Sequence, residues 1–70
     1  MTKILAPMVG KVLDVHYKVG DNIKENDVII TIEAMKMEVP VFVPKGGKIT
    51  EILVQKGQTV EGDALIAKIE

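Results

Sequence analysis

Seventy residues, with no cysteine, nine lysines, no arginine, ten carboxylates and a net charge of −1, make one small domain spanning 1–70. A chain of this length buries only about 60% of the surface it exposes when unfolded, and neither disulfides nor thiolate–metal sites brace it. The scattered charge offers no phosphate-binding stripe, Tyr17 and Phe42 alone make no stacking platform for nucleic acid, and no apolar run reaches the length of a membrane span.

The chain opens on a unit that it repeats. "ILAPMVGKVLDVHYKVGDNIKENDVIITIE" (4–33) lies without a gap over "VFVPKGGKITEILVQKGQTVEGDALIAKIE" (41–70), at an offset of 37 residues. Pro7 falls on Pro44, Gly10 on Gly47, Lys11 on Lys48, Gly20 on Gly57 and Glu33 on Glu70. Glycines recurring at one offset mark turns of positive φ or close backbone approach in both halves. Two such halves pack most simply about a pseudo-two-fold axis and share one core.

In chain order, "GKVLDVHYKVG" (10–20) sets β-branched residues between glycines and reads as a strand. His16 sits on its alternation as a solvent-facing side chain, and a single histidine builds no metal site. "KVGDNIKENDV" (18–28) is a turn-rich connection, followed by the strand "VIITI" (28–32). Then comes "EAMKME" (33–38), the strand "VPVFV" (39–43), and the second copies: "GKITEILVQKG", the connection "QKGQTVEGDAL" and the strand "LIAKI". The expectation is an all-β sandwich or flattened barrel of about eight short strands. Nothing in the chain reads as a signal peptide, and a soluble cytoplasmic protein is the default, with an organelle the alternative where a transit segment has been removed.

The middle of the chain chooses its own turn. With Met35-Lys36 as a two-residue loop, Ala34 faces Met37, Ile32 faces Val39, Ile30 faces Val41 and Val28 faces Val43, an apolar face throughout. The other face pairs Glu33 with Glu38, Thr31 with Pro40 and Ile29 with Phe42. A slip of one residue mixes the two sets and is penalised wherever a face is buried. Lys36 therefore sits on the tip. It has no counterpart in the repeat, because it lies in the crossover between halves. A two-fold relation also brings the chain ends together, at the end of the domain opposite Lys36.

Hairpin tips usually carry Asn-Gly, Asp-Gly or Gly-Gly. A lysine acting as a Schiff base or general base needs burial or a neighbouring cation, and an exposed tip between Glu33 and Glu38 supplies neither. The sequence holds no Ser/His/Asp set, no paired acids in a cleft and no phosphate-cradling loop. A surface lysine often does no more than protect a strand turn. Met35, exposed at the tip, and Met37, which begins the apolar face, add deformable apolar surface for another protein to grip.

"EAMKME" resembles the attachment motif of biotin carboxyl carrier domains, and "APMVGKV", "VGDNIKENDVIITIEAMKMEVPV" and "GGKITEILVQKGQTVEGDALIAKIE" resemble the rest of that family. The resemblance covers essentially the whole chain. It implies a flattened β-barrel of two four-stranded antiparallel sheets with quasi-two-fold symmetry, the biotinyl/lipoyl type. It implies that Lys36 carries covalent biotin, that Met35 and Met37 flank it for recognition, and that the domain is a carrier with no catalytic residues and no metal.

The partners it implies are a biotin protein ligase, which transfers the biotinyl group from its adenylate to Lys36, and a biotin carboxylase using ATP and bicarbonate. A carboxyltransferase or decarboxylase completes the set, acting on an acyl-CoA or an oxo acid. No nucleic acid and no membrane insertion are expected. The gapless repeat leaves no room for the inserted "thumb" of common bacterial acetyl-CoA carboxylase carriers, so the chain looks more like carriers of other acyl-CoA or oxo-acid enzymes. The fold starts at about Thr2, which suggests a stand-alone subunit or an excised domain. Lipoyl carriers share the fold and the hairpin lysine but usually carry Asp-Lys-Ala at the tip. Unmodified lipoyl-like interaction modules are the third alternative.

Overall fold

The computed structural model describes residues 2–70. Eight strands follow one another: β1 (Thr2–Leu5), β2 (Gly10–Val15), β3 (Asn22–Ile23), β4 (Val28–Ala34), β5 (Met37–Phe42), β6 (Gly47–Ile52), β7 (Thr59–Val60) and β8 (Leu65–Ile69). They form two four-stranded antiparallel sheets, ordered β1-β8-β6-β3 and β5-β4-β2-β7. The expected all-β architecture and its pair of four-stranded sheets are both present.

The repeat governs the fold down to single hydrogen bonds. β1 pairs with β8 through Thr2↔Ile69 and Ile4↔Ala67, and β5 pairs with β4 through Val39↔Ile32 and Val41↔Ile30, the same residues displaced by the repeat. The Gly20 N–H donates to the Ile49 carbonyl at 2.8 Å, and the Gly57 N–H donates to the Val12 carbonyl at 2.7 Å. Each sheet thus borrows a short strand from the other half, β7 beside β2 and β3 beside β6. Gly20 and Gly57 have φ of 97° and 90°, a region in which an L-residue is strained, so the recurrence of glycine at these turns has a backbone cause. The adjoining turns are fastened alike: the Lys18 N–H donates to the Asp21 carboxylate at 2.9 Å, and the Gln55 N–H to the Gln58 side-chain oxygen at 3.0 Å.

The core lies between the sheets. Ile29, Ile30, Ile32, Ile49, Ile66, Ile69, Val12 and Val43 are its largest fully buried side chains, and among the described residues no polar or charged side chain is buried with them. The hairpin register is the expected one from Ala34↔Met37 down to Ile30↔Val41. Below that it departs. Val28 lies opposite Phe42, where simple alternation sets Ile29 opposite Phe42 and Val28 opposite Val43. A β-bulge between Val28 and Ile30 sets two residues of β4 against one of β5, so Ile29 and Ile30 are both fully buried. The second half repeats the device on the partner strands, and Ile66 and Ala67 are likewise both fully buried.

The expected meeting of the chain ends holds for the residues described: Thr2 pairs with Ile69, in the sheet that does not contain the hairpin. Met1 lies outside the described residues. His16 is exposed, as its alternation indicated, and its Nε2 lies 2.8 Å from the Thr31 hydroxyl.

The halves differ at Tyr17, whose hydroxyl donates to Asp27 at 3.0 Å, where the second half has Val54 and Ala64. That hydrogen bond, then partial burial and the Asp27 and Asp21 charges, raise the tyrosine above its ordinary value of 10.0. The folded state thus favours the neutral phenol. Its contribution is complete below the unfolded value and fades as pH climbs through the raised folded one. An absorbance titration of this single tyrosine is expected to show a midpoint above that of the unfolded chain, moving back toward it in Asp27→Ala.

Candidate functional site

Ala34, buried, ends β4, and Met37 begins β5, so the turn between them consists of Met35 and Lys36 alone. Their φ angles are 53° and 64°. Positive φ at both central residues is the mark of a type I′ hairpin turn, whose twist suits the flanking strands. For residues other than glycine, asparagine or aspartate this region costs roughly 1–2 kcal/mol each. The tip therefore keeps a methionine and a lysine in conformations that glycine would adopt freely. Strain held at a tip is a common accompaniment of function.

The side chains at the tip face outward. Met35 is 92% exposed and Met37 67%; Lys36 is exposed as well. Met37 does pair with Ala34 as expected, but it joins no buried face: it begins β5, the edge strand of its sheet, while Ala34 on the inner strand β4 is buried. Glu33 and Glu38 stand directly opposite each other, both exposed, and like charges in that relation repel. Among the described residues the one ion pair joins Lys68 to Glu51 at 3.5 Å, so neither carboxylate ties down the Lys36 amine.

Gly10 holds the base of the hairpin. Lys11 pairs with Glu33, and a Cβ added at Gly10 would lie 2.8 Å from the Glu33 carbonyl oxygen. Only a bare α-carbon lets β2 approach β4 so closely beneath the tip. Gly47 repeats this against the Glu70 carbonyl, so this pair of recurring glycines serves close approach and the pair Gly20 and Gly57 serves positive φ. Among the described residues no group of three or more His, Cys, Asp or Glu side chains is placed to hold a metal ion, and no pocket opens. What the domain offers is a projecting amine flanked by two thioethers. That geometry suits covalent attachment and presentation to another protein.

Met8 and Val9, in the β1–β2 loop, are 41% and 60% exposed.

Residues 2–69 match the family model described as "Biotin-requiring enzyme". The chain is 43% identical over 68 residues to mouse mitochondrial pyruvate carboxylase, covering 97% of this chain and 6% of that protein. It is 45% identical over 62 residues to the biotin carboxyl carrier protein of Streptococcus mutans, covering 87% of this chain and 48% of that one. The chain thus spans a small part of the pyruvate carboxylases it resembles and about half of the carrier protein. Among solved structures, the Kluyveromyces lactis urea carboxylase superposes with a TM-score of 0.92 at 35% identity, over 99% of this chain and 6% of that one. The lipoyl domain of the Azotobacter vinelandii 2-oxoglutarate dehydrogenase complex superposes with a TM-score of 0.83 at 30% identity, over 100% of this chain and 96% of that one. With its fold, its outward-facing amine and these relatives taken together, the chain belongs to the biotin-requiring enzyme family, as a biotin carboxyl carrier domain.

Proposed function

We propose that Lys36 is the residue that carries biotin, that Met35 and Met37 are read by the enzymes that handle it, and that a biotin protein ligase installs it. The loaded domain then serves a biotin carboxylase and a carboxyltransferase or decarboxylase in turn. The observation that carries this reading is the tip itself: an exposed primary amine, outside any ion pair, on a two-residue turn that tolerates backbone strain to keep its side chains. The donor chemistry fits the group. An exposed amine, once it has given up its proton to the ligase, attacks the activated carboxyl of biotin; a C–N amide bond forms as the leaving group departs.

Bound biotin supplies a ring nitrogen that accepts and releases carboxylate. The protein's own part is to place and project. The β4–β5 hairpin, anchored in the core through the buried residues of β4 and Val41, fixes where the tip stands, and tethering turns each meeting with a partner's active site into a nearly intramolecular event. The lipoyl-domain likeness favours a second reading, in which Lys36 takes lipoate. The two methionines distinguish this tip from the Asp-Lys-Ala usual in lipoyl carriers. Purified chain offered separately to biotin ligase with biotin and to lipoate ligase with lipoate, each with MgATP, is expected to gain one biotinyl group on the Lys36 peptide. Faster lipoylation than biotinylation would overturn the assignment.

Because both methionines are exposed, both make clean tests. Met35→Ala and Met37→Ala are each expected to shift stability by no more than about 0.5 kcal/mol, against the 2–5 kcal/mol of a buried methionine. Each should slow ligase transfer or, once loaded, later carboxyl transfer. Melting curves beside biotinylation and turnover rates decide the matter. Unchanged rates in both variants would leave the methionines without a role.

A further inference from the structure

Neither half of this domain can stand alone. Among the described residues there are six strand pairings, and only β2 with β4 and β6 with β8 lie within a half. The other four, β1–β8, β2–β7, β3–β6 and β4–β5, each join the first half (β1 to β4) to the second (β5 to β8). A first half by itself leaves β1 and β3 with no neighbour, and a second half leaves β5 and β7 so. The apolar interior is shared in the same way: Val12 and Ile49, and Ile29 and Ile66, are equivalent residues of the two halves buried in one core.

The covalent link between the halves is a single one. It is Met35-Lys36, a two-residue turn held at positive φ throughout with neither residue a glycine. Short connections under strain invite an exchange, in which the chain runs straight on and its far half docks on a second copy. Exchange remakes all four joining pairings with the same residues in the same register. It undoes only the turn, and the strain is released with it. Opposing it is effective concentration, since a half on the same chain competes at about millimolar strength.

We infer that this chain forms a domain-exchanged dimer with a second copy of itself, hinged at Met35-Lys36, in which β4 of each copy pairs with β5 of the other. The second copy is the fitting partner because its halves carry the same complementary strands and the same buried residues. Exchange also dismantles the tip, for Met35 and Lys36 then run between two lobes instead of closing one. The closed monomer is the form that presents Lys36 on a hairpin, whatever group that lysine takes.

The test refolds the unmodified full chain from urea at about micromolar and at about millimolar concentration, and measures mass by light scattering behind a sizing column. A share of double mass is expected at the higher concentration, and it should persist on dilution, because return to monomer requires unfolding. Met35→Asn with Lys36→Gly, residues at ease at positive φ, should cut that share about tenfold. Met35→Val, β-branched and worse placed there, should raise it. Glu33→Cys with Glu38→Cys then reports which strands are paired, since these residues stand directly opposite each other. After oxidation in air, an exchanged dimer keeps its double mass on a denaturing gel without reductant, because each disulfide joins two chains. A side-by-side dimer falls to single mass there, its disulfide closed within each chain, and would overturn the inference. So would single mass at both concentrations, or a double-mass share that Met35→Asn with Lys36→Gly leaves unchanged.

Discussion

Lys36→Arg is expected to abolish biotinylation while leaving the fold untouched. Arginine keeps the positive charge and a long flexible stem, but its guanidinium stays protonated and is no nucleophile toward an activated carboxyl. The side chain is exposed and outside any ion pair, so stability should move by no more than about 0.5 kcal/mol. The other eight lysines should not take over, because none stands at the tip of a β-hairpin between two methionines. Intact mass after exhaustive treatment with ligase reads the result directly. Labelling of Lys45 or Lys48 at a rate comparable to that of Lys36 would contradict the assignment.

The second large effect is on stability. Ile30 is fully buried in the hairpin that carries the tip, and Ile30→Ala is expected to cost about 2–5 kcal/mol, from lost transfer energy and the cavity left behind. A domain of this size has roughly 4–10 kcal/mol in all, at about 0.05–0.15 kcal/mol per residue. One truncation should therefore remove a large share of it. Urea unfolding should show a much lower midpoint with an unchanged slope. A midpoint within experimental error of the unmutated chain would mean that the bulged segment does not hold the core as described.

Much of the fold was readable because the sequence writes it twice. Pro7 over Pro44 and Gly10 over Gly47 set the register of the halves, and the pairing of Glu33 with Glu38 followed from keeping one face of the hairpin apolar. The bulge was not read, since strict alternation admits only one inward residue in two. A signal for it did exist: Ile29-Ile30 and Ile66-Ala67 are adjacent apolar pairs at the same offset, each fully buried. Met37 was placed on the apolar face because its partner Ala34 belongs there. Register alone does not say which strand lies at the edge of a sheet, and Met37 stands on the edge strand β5.

Lys36 itself was found from its position, in the crossover that the repeat does not duplicate. The positive φ at both tip residues is what a two-residue hairpin demands where glycine-containing pairs are usual, so its signal was the loop length itself.

A carrier of this kind needs a rigid handle rather than a pocket. Among the described residues, sixteen buried apolar side chains and two interlocked sheets supply the handle, and the strained tip presents an exposed amine. The most direct measurement is the mass of the chain purified from cells grown on isotopically labelled biotin and, in parallel, on labelled lipoate, followed by peptide mapping. The expected result is one biotinyl group per chain, labelled from biotin, on the peptide that contains Lys36. Label from lipoate on Lys36, biotin on another lysine, or a bare Lys36 in cells whose other biotin proteins are loaded would contradict it.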